Sequence, residues 1–297
     1  MTLPVNTLVA CVEARPARRQ GMSWSERRRP DPDTIFTIRT VSRFVGFRGA
    51  ESKEEKQMLI RYLEPIGSDL HTKRMLSILE RHASPGVFVE VRHLELPPEL
   101  AGPMLPLEPL YINELIGEVL KAERDGADAV IIGCGADPAL LEAQRCVNIP
   151  VIGPLQAAVA LAAGRGATVG MLSPDEHGRR RIANMTHRLL GAYGLADAFT
   201  SVVFVPLHVD GEESLVGNTE VTAEIVEEQF RRQLHALGVD SARTMVEQDH
   251  VDAIFFGCTL WGGLVAEVAD QIDAFCIDPV VASLHMAEAQ VRTSQLS

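Results

Sequence analysis

Glu123-Arg124-Asp125-Gly126-Ala127-Asp128-Ala129-Val130-Ile131-Ile132-Gly133-Cys134 recurs without a gap as Glu247-Gln248-Asp249-His250-Val251-Asp252-Ala253-Ile254-Phe255-Phe256-Gly257-Cys258. Half of the twelve aligned positions are identical, including the closing Gly-Cys. The echo continues downstream. Ile152-Gly153-Pro154 begins 18 residues after the first cysteine, and Ile277-Asp278-Pro279 begins 19 after the second. Each unit reads as a helix end, a buried strand, Gly-Cys at the strand's carboxyl end, a helix, a further strand, Pro and a final helix. A dozen aligned positions with a matched downstream element make duplication a better account than chance. The chain is expected to be two copies of one lobe.

Working outward, short apolar runs alternate with amphipathic stretches from Met58 onward, which predicts an α/β fold with parallel sheets. Candidate strands fall at 58–63, 87–91, 128–133, 149–152, 167–172, 201–205, 252–257 and 274–277. Helices are expected at Leu70–His82, Asn113–Asp125, Glu220–Leu237 and Ala282–Gln290. By periodicity alone, eight strands suit one barrel or two four-stranded lobes, and the repeat selects the lobes. The first is assigned to 58–158 together with a C-terminal helix at 281–297, and the second to 159–280. Residues 1–57 stand apart, with nine arginines and two lysines against seven carboxylates and no helical or strand period over most of their length. They are read as a basic, poorly ordered extension, because a Pro/Arg-rich stretch buries too little to offset its ordering entropy.

Composition narrows the class of function. A formal charge of −12 argues against nucleic acid or an anionic membrane surface as the main partner, since both select a basic face. No apolar run approaches the roughly 20 residues of a bilayer span, and the N-terminus lacks a clean signal architecture. The expected partner is a small-molecule substrate. Five cysteines without a CxxC pair read as reduced thiols of a cytoplasmic protein, not as a disulfide framework or zinc site.

Cys134 and Cys258 are the candidate catalytic residues because both sit at the carboxyl end of a parallel strand, where such sheets bind ligands. Each is expected just before a helix N-terminus, a setting that lowers a thiol's pKa from about 8.5. Asp137-Pro138 fits the cap and first turn of the helix after Cys134. Cys11, Cys146 and Cys276 have no counterpart in the other copy and are read as small buried hydrophobes. One thiolate can remove a proton from a carbon next to a carbonyl while the opposite thiol returns one to the other face. No cofactor is needed if backbone donors hold the enolate oxygen. Thr259 is placed to offer its hydroxyl and N–H to that oxygen, with Gly135 in the matching place after Cys134.

Gly133-Cys134-Gly135-Ala136-Asp137-Pro138, Ile149-Pro150-Val151-Ile152-Gly153, Gly257-Cys258-Thr259 and Ile277-Asp278-Pro279 resemble the aspartate/glutamate/hydantoin racemase superfamily, in its hydantoin racemase branch. The resemblance covers about 58–297. It implies two pseudo-symmetric flavodoxin-like lobes with the site in the cleft between them, no metal, no cofactor, homo-oligomers, and the two matching cysteines as the acid/base pair. Decarboxylases of the superfamily keep only the second cysteine, so Cys134 speaks against them. One departure concerns the loop after the first strand, Glu64-Pro65-Ile66-Gly67-Ser68, where hydantoin racemases carry Asn-Pro-Asn-Thr. Glu64 is a candidate for binding a substrate ammonium or N–H. Ser68 is a candidate contact or the cap of the helix from Leu70, and Ser173 a candidate contact or a helix start. Trp261 is a candidate wall of the pocket, and His187 and His208 are read as structural. Besides racemisation or epimerisation of a cyclic ureide or amino-acid derivative, two alternatives stay open. One is cis–trans isomerisation of a maleate-like diacid through a nucleophilic cysteine; the other is a non-catalytic two-lobed binding protein.

Overall fold

The computed structural model describes residues 57–101, 108–175, 179–206 and 221–294. The basic stretch before Gln57 and His208 lie outside the described residues. Eight strands form two four-stranded parallel sheets. The first contains β1 (Met58–Glu64), β2 (Val87–His93), β3 (Ala129–Ile132) and β4 (Val151–Ile152), in the order β2-β1-β3-β4. The second contains β5 (Val169–Asp175), β6 (Phe199–Pro206), β7 (Ala253–Phe256) and β8 (Phe275–Ile277), in the order β6-β5-β7-β8. All eight expected strands are present and the two orders are identical. Central strands β3 and β7 are buried on both faces, which is why each reads as an unbroken apolar run.

The strand register extends the repeat upstream. Gly133 N–H donates to Leu63 O and Gly257 N–H to Leu172 O, each at 2.7 Å. Leu63-Glu64-Pro65 therefore matches Leu172-Ser173-Pro174, and Glu64 and Ser173 are structural equivalents. The repeated acids also have matching work. Asp128 accepts the Leu59 N–H, and Asp252 accepts the Thr168 N–H, each at 2.9 Å. Each carboxylate thus ties the start of its strand to the neighbouring central strand.

Helices α1 (Thr72–His82), α2 (Ile112–Arg124) and α3 (Leu140–Cys146) join the first four strands. Helix α4 (Pro154–Ala163) then leads to β5, and α5 (Arg179–Tyr193) to β6. The helix expected at Glu220–Leu237 is longer than predicted. It runs as α6 (Ala223–Gln233), a π turn at Leu234–Gly238, and α7 (Val239–Gln248). Thr222 caps its start, its hydroxyl accepting the Ile225 N–H.

Helix α4 is almost apolar on every side and must be buried, whereas the last helix, α8 (Pro279–Ser294), buries one face and exposes His285, Gln290 and Arg292. They pack on each other, and each crosses to the opposite sheet. Leu155, Val159 and Ala162 of α4 join Val169, Met171 and Phe255 of the second sheet. Val280, Leu284 and Val291 of α8 join Met58, Ile60 and Tyr62 of the first. This exchange locks the lobes together behind the cavity. No helix among the described residues is long and apolar enough to cross a membrane.

Candidate active site

The carboxyl ends of β1, β3, β5 and β7 converge on a cavity of about 140 Å³. Cys134 and Cys258 both line it, half-buried and not disulfide-bonded. Glu64, Gly135, Ser173 and Thr259 line it as well. The structure therefore gathers six of the seven expected site residues around one space. Ser68 is the exception. It lies in the bend after β1, outside the lining, and His71 takes the N-cap position of α1, so Ser68 does not cap that helix either.

The Gly-Cys segments of the two lobes touch. A side chain on Gly135 would put Cβ at 2.0 Å from Gly257 O, so the backbones there are in direct contact. Across the same seam the Thr259 hydroxyl donates to Gly133 O at 3.1 Å. That bond engages the Thr259 hydroxyl at the seam between the lobes. The Tyr62 ring fills the space that a side chain at Gly133 would need, and its phenol lies beside Thr259. Burial holds that phenol far above its ordinary pKa.

Neither cysteine precedes a helix as closely as the sequence suggested. After Cys134 the chain passes through Asp137 and Ala139 at φ 46° and 52°, a left-handed path that delays α3 until Leu140. Cys258 stands at the N-cap of a 3₁₀ turn, Thr259–Trp261, followed by two more at Val265–Glu267 and Ala269–Gln271, and no α-helix forms there before β8. Asp137 does not cap α3. Its carboxylate accepts the Leu155 and Gln156 N–H groups at 2.9 and 2.8 Å, and the Tyr193 hydroxyl at 3.1 Å. Asp137 thus caps α4, and the bare Gly153 leaves room for it. In the second copy Asp278, at the position matching Gly153, caps its own helix through the Val280 and Val281 N–H groups. Burial pushes Asp137 up to about 7 against the donors that pull it down. Asp137→Ala is expected to cost about 2–4 kcal/mol in denaturant melts, because it leaves two N–H groups and a phenol unpaired. A loss below about 0.5 kcal/mol would contradict this assignment.

Glu64 ends β1 as a buried carboxyl facing the cavity. Thr72 donates its hydroxyl to Glu64 Oε2 at 2.9 Å. Burial raises Glu64 to about 7, while Thr72 and the Arg74 guanidinium pull the other way. Ser173 lies in β5, two residues before its end at Asp175, and is not a helix start. Its hydroxyl makes a long, 3.4 Å contact with Pro174 O.

His71, which precedes α1, and Met75 of α1 also line the cavity, as do Ile182, Met185 and Thr186 of α5. No local signal marks them, since they reach it only through helix packing. Trp261 is corrected. It is fully buried in the second lobe's core, edge-on to Phe230 and Phe256, and does not wall the cavity. His187 is exposed and packs edge-on to Phe199. Among the described residues no cluster of three or more His, Cys, Asp or Glu is arranged to hold a metal ion.

The sequence profile of the Asp/Glu/hydantoin racemase family matches residues 60–287, which is most of the chain and includes both Gly-Cys segments. The chain belongs to the Asp/Glu/hydantoin racemase family. A hydantoin racemase from Pseudomonas sp. (strain NS671) is 29% identical over 196 residues, covering 64% of this chain and 70% of that protein. A hydantoin racemase from Paenarthrobacter aurescens is 26% identical over 185 residues, with 62% and 70% covered. The fold matches the crystal structure of allantoin racemase from Pseudomonas fluorescens at a TM-score of 0.64, with 20% identity over 80% of this chain and 92% of that one. The relatives named above are racemases, which are isomerases, and the two-lobed architecture is shared with the allantoin racemase structure.

Proposed function

We propose that the protein racemises or epimerises a carbon alpha to a carbonyl, with Cys134 and Cys258 as opposed acid and base. The observation that carries this reading is the pair of repeated, unbridged cysteines lining one cavity at equivalent strand ends. One thiolate takes the alpha-proton, forming S–H as the C–H bond breaks, and the electron pair moves to the carbonyl oxygen as an enolate. The other thiol gives its proton to the opposite face and becomes the thiolate. The backbone N–H groups of Gly135 and Thr259, each directly after a cysteine, are the proposed donors to the enolate oxygen. No step calls for a cofactor.

The lining supports a substrate with an N–H group and an apolar substituent, such as a five-membered cyclic ureide or an amino-acid derivative. Ile66, Met75, Met171, Ile182, Met185 and Leu260 make most of its wall apolar. Glu64 is the proposed N–H acceptor, and once ionised it would repel a maleate-like diacid. Incubation in D₂O with separate hydantoins, amino acids and maleate tests the reading. Deuterium at the alpha-carbon together with loss of optical activity is expected. A covalent cysteine adduct without alpha-exchange would support cis–trans isomerisation instead.

Glu64 adds a pH signature. Its carboxyl is raised to about 7, so above that pH it is ionised and accepts an N–H more strongly than the neutral acid does. Substrate affinity, read as 1/KM, is expected to rise as pH increases through about 7, and this limb should disappear in Glu64→Gln. A limb of the same size in Glu64→Gln would remove Glu64 from substrate binding.

A further inference from the structure

Arg74 crosses between the lobes at the point where the second cysteine's loop leaves its sheet. It projects from the first turns of α1, in the first lobe, with its side chain only 12% exposed. Nη2 donates to Leu260 O at 3.2 Å and to Gly262 O at 2.6 Å, the carbonyls two and four residues after Cys258. Nε pairs with Glu227 of α6 at 3.1 Å. Asp278 holds the next residue of that loop by accepting the Gly263 N–H. The segment after Cys258 forms short 3₁₀ turns at Thr259–Trp261, Val265–Glu267 and Ala269–Gln271 and no α-helix, so these side-chain contacts add to the order of its first turn. The two residues that flank Arg74 along one face of the chain, His71 and Met75, line the cavity.

We propose that Arg74 is a positioning residue that sets Cys258 in register with Cys134 by gripping the Cys258 loop from the opposite lobe. The proposal rests on the paired-thiol reading. Its physical basis is the planar guanidinium fork, which reaches two carbonyls and a carboxylate at once, whereas an ammonium cannot hold all three in fixed directions. Removing the fork leaves the Leu260 and Gly262 carbonyls and Glu227 without it, and the loop carrying Cys258 gains freedom. Opposed acid–base transfer depends steeply on placement, and a 1 Å error can cost about 10²-fold.

The test needs no substrate. Full-length protein is treated with short bis-methanethiosulfonate reagents of graded span, and the Cys134–Cys258 link is quantified by peptide mass spectrometry. The unaltered protein is expected to form the link with a sharp preference for one span. Arg74→Met and the milder Arg74→Lys are expected to lose most of the link or its span preference while keeping a cooperative melt. Glu227→Gln leaves both carbonyl contacts in place and should retain the link. The proposal is overturned if Arg74→Lys links like the unaltered protein, or if Glu227→Gln loses the link. Failure of the unaltered protein to link at any span would sink the paired-thiol reading itself, and the proposal with it. With a substrate found by deuterium exchange, Arg74→Lys should lower kcat for inversion by about 10²-fold and leave KM within about twofold.

Discussion

Cys134→Ser and Cys258→Ser are each expected to lose racemisation by about 10³-fold, within the range that a single positioned acid or base contributes. Inversion requires one group on each face of the reacting carbon. A serine hydroxyl is far too weak an acid and base near neutral pH to take either place. The change is small in volume and lies at half-buried positions, so folding should survive it. The contrast with other cysteines makes the test sharp. Cys146, expected to be buried, is instead exposed at the end of α3; Cys276 is half-buried in the edge strand β8, and neither lines the cavity. Burial raises the Cys276 thiol to about 11, which suits an inert side chain. Cys146→Ser and Cys276→Ser should therefore keep near-normal rates. If either Cys134→Ser or Cys258→Ser racemised at close to the unaltered rate, the two-thiol mechanism would be wrong.

A large effect on stability, comparable to that of Asp137→Ala, is expected at Gly135. A Cβ there would lie 2.0 Å from Gly257 O and 2.6 Å from Gly257 C, and both are backbone atoms of the opposite lobe. No side-chain rotation relieves that contact, so the lobes must separate or the loop must distort. Gly135→Ala is expected to destabilise the fold by roughly 3 kcal/mol, at the upper end of overpacking costs. Gly117 is the natural control, since it is exposed on α2 and a Cβ there meets nothing within 4 Å. Gly117→Ala should be neutral or stabilise by about 0.5–1 kcal/mol. Urea melts of the two variants decide the matter. Equal and small effects would mean that the Gly-Cys segments are not packed as described.

Much of the fold was legible because it rests on period and repetition. β3 and β7 are buried on both faces, so their sequences are continuous apolar runs, and the duplicated Asp128 and Asp252 mark the same strand tie in both lobes. The cysteines were legible because they close a repeated strand, and strand ends in a parallel sheet converge; Glu64 and Ser173 were legible only through the family resemblance. What escaped depends on tertiary structure. Asp137 looks like a local cap, yet its carboxylate reaches α4, because a left-handed backbone turns it away from α3. A signal existed: where the second copy has Asp278, the first has Gly153, so one cap was missing and had to come from elsewhere. Trp261 adjoins the Cys258 loop in sequence but turns into the core against Phe230. Met75, Ile182 and Met185 reach the cavity only because α1 and α5 pack over it. The π turn that joins α6 to α7 replaces the stop expected at Leu237, since Gly238 continues the helical path.

The central claim is that each thiol serves one face of the substrate, and enantiomer-resolved deuterium exchange tests it most directly. Each serine variant is incubated in D₂O with the separate enantiomers of a substrate that the unaltered protein racemises. Each variant retains one competent thiol, so it should exchange the alpha-proton of one enantiomer without inverting it. The two variants should prefer opposite enantiomers. Exchange of the same enantiomer by both variants, or of both enantiomers by either one, would contradict the account.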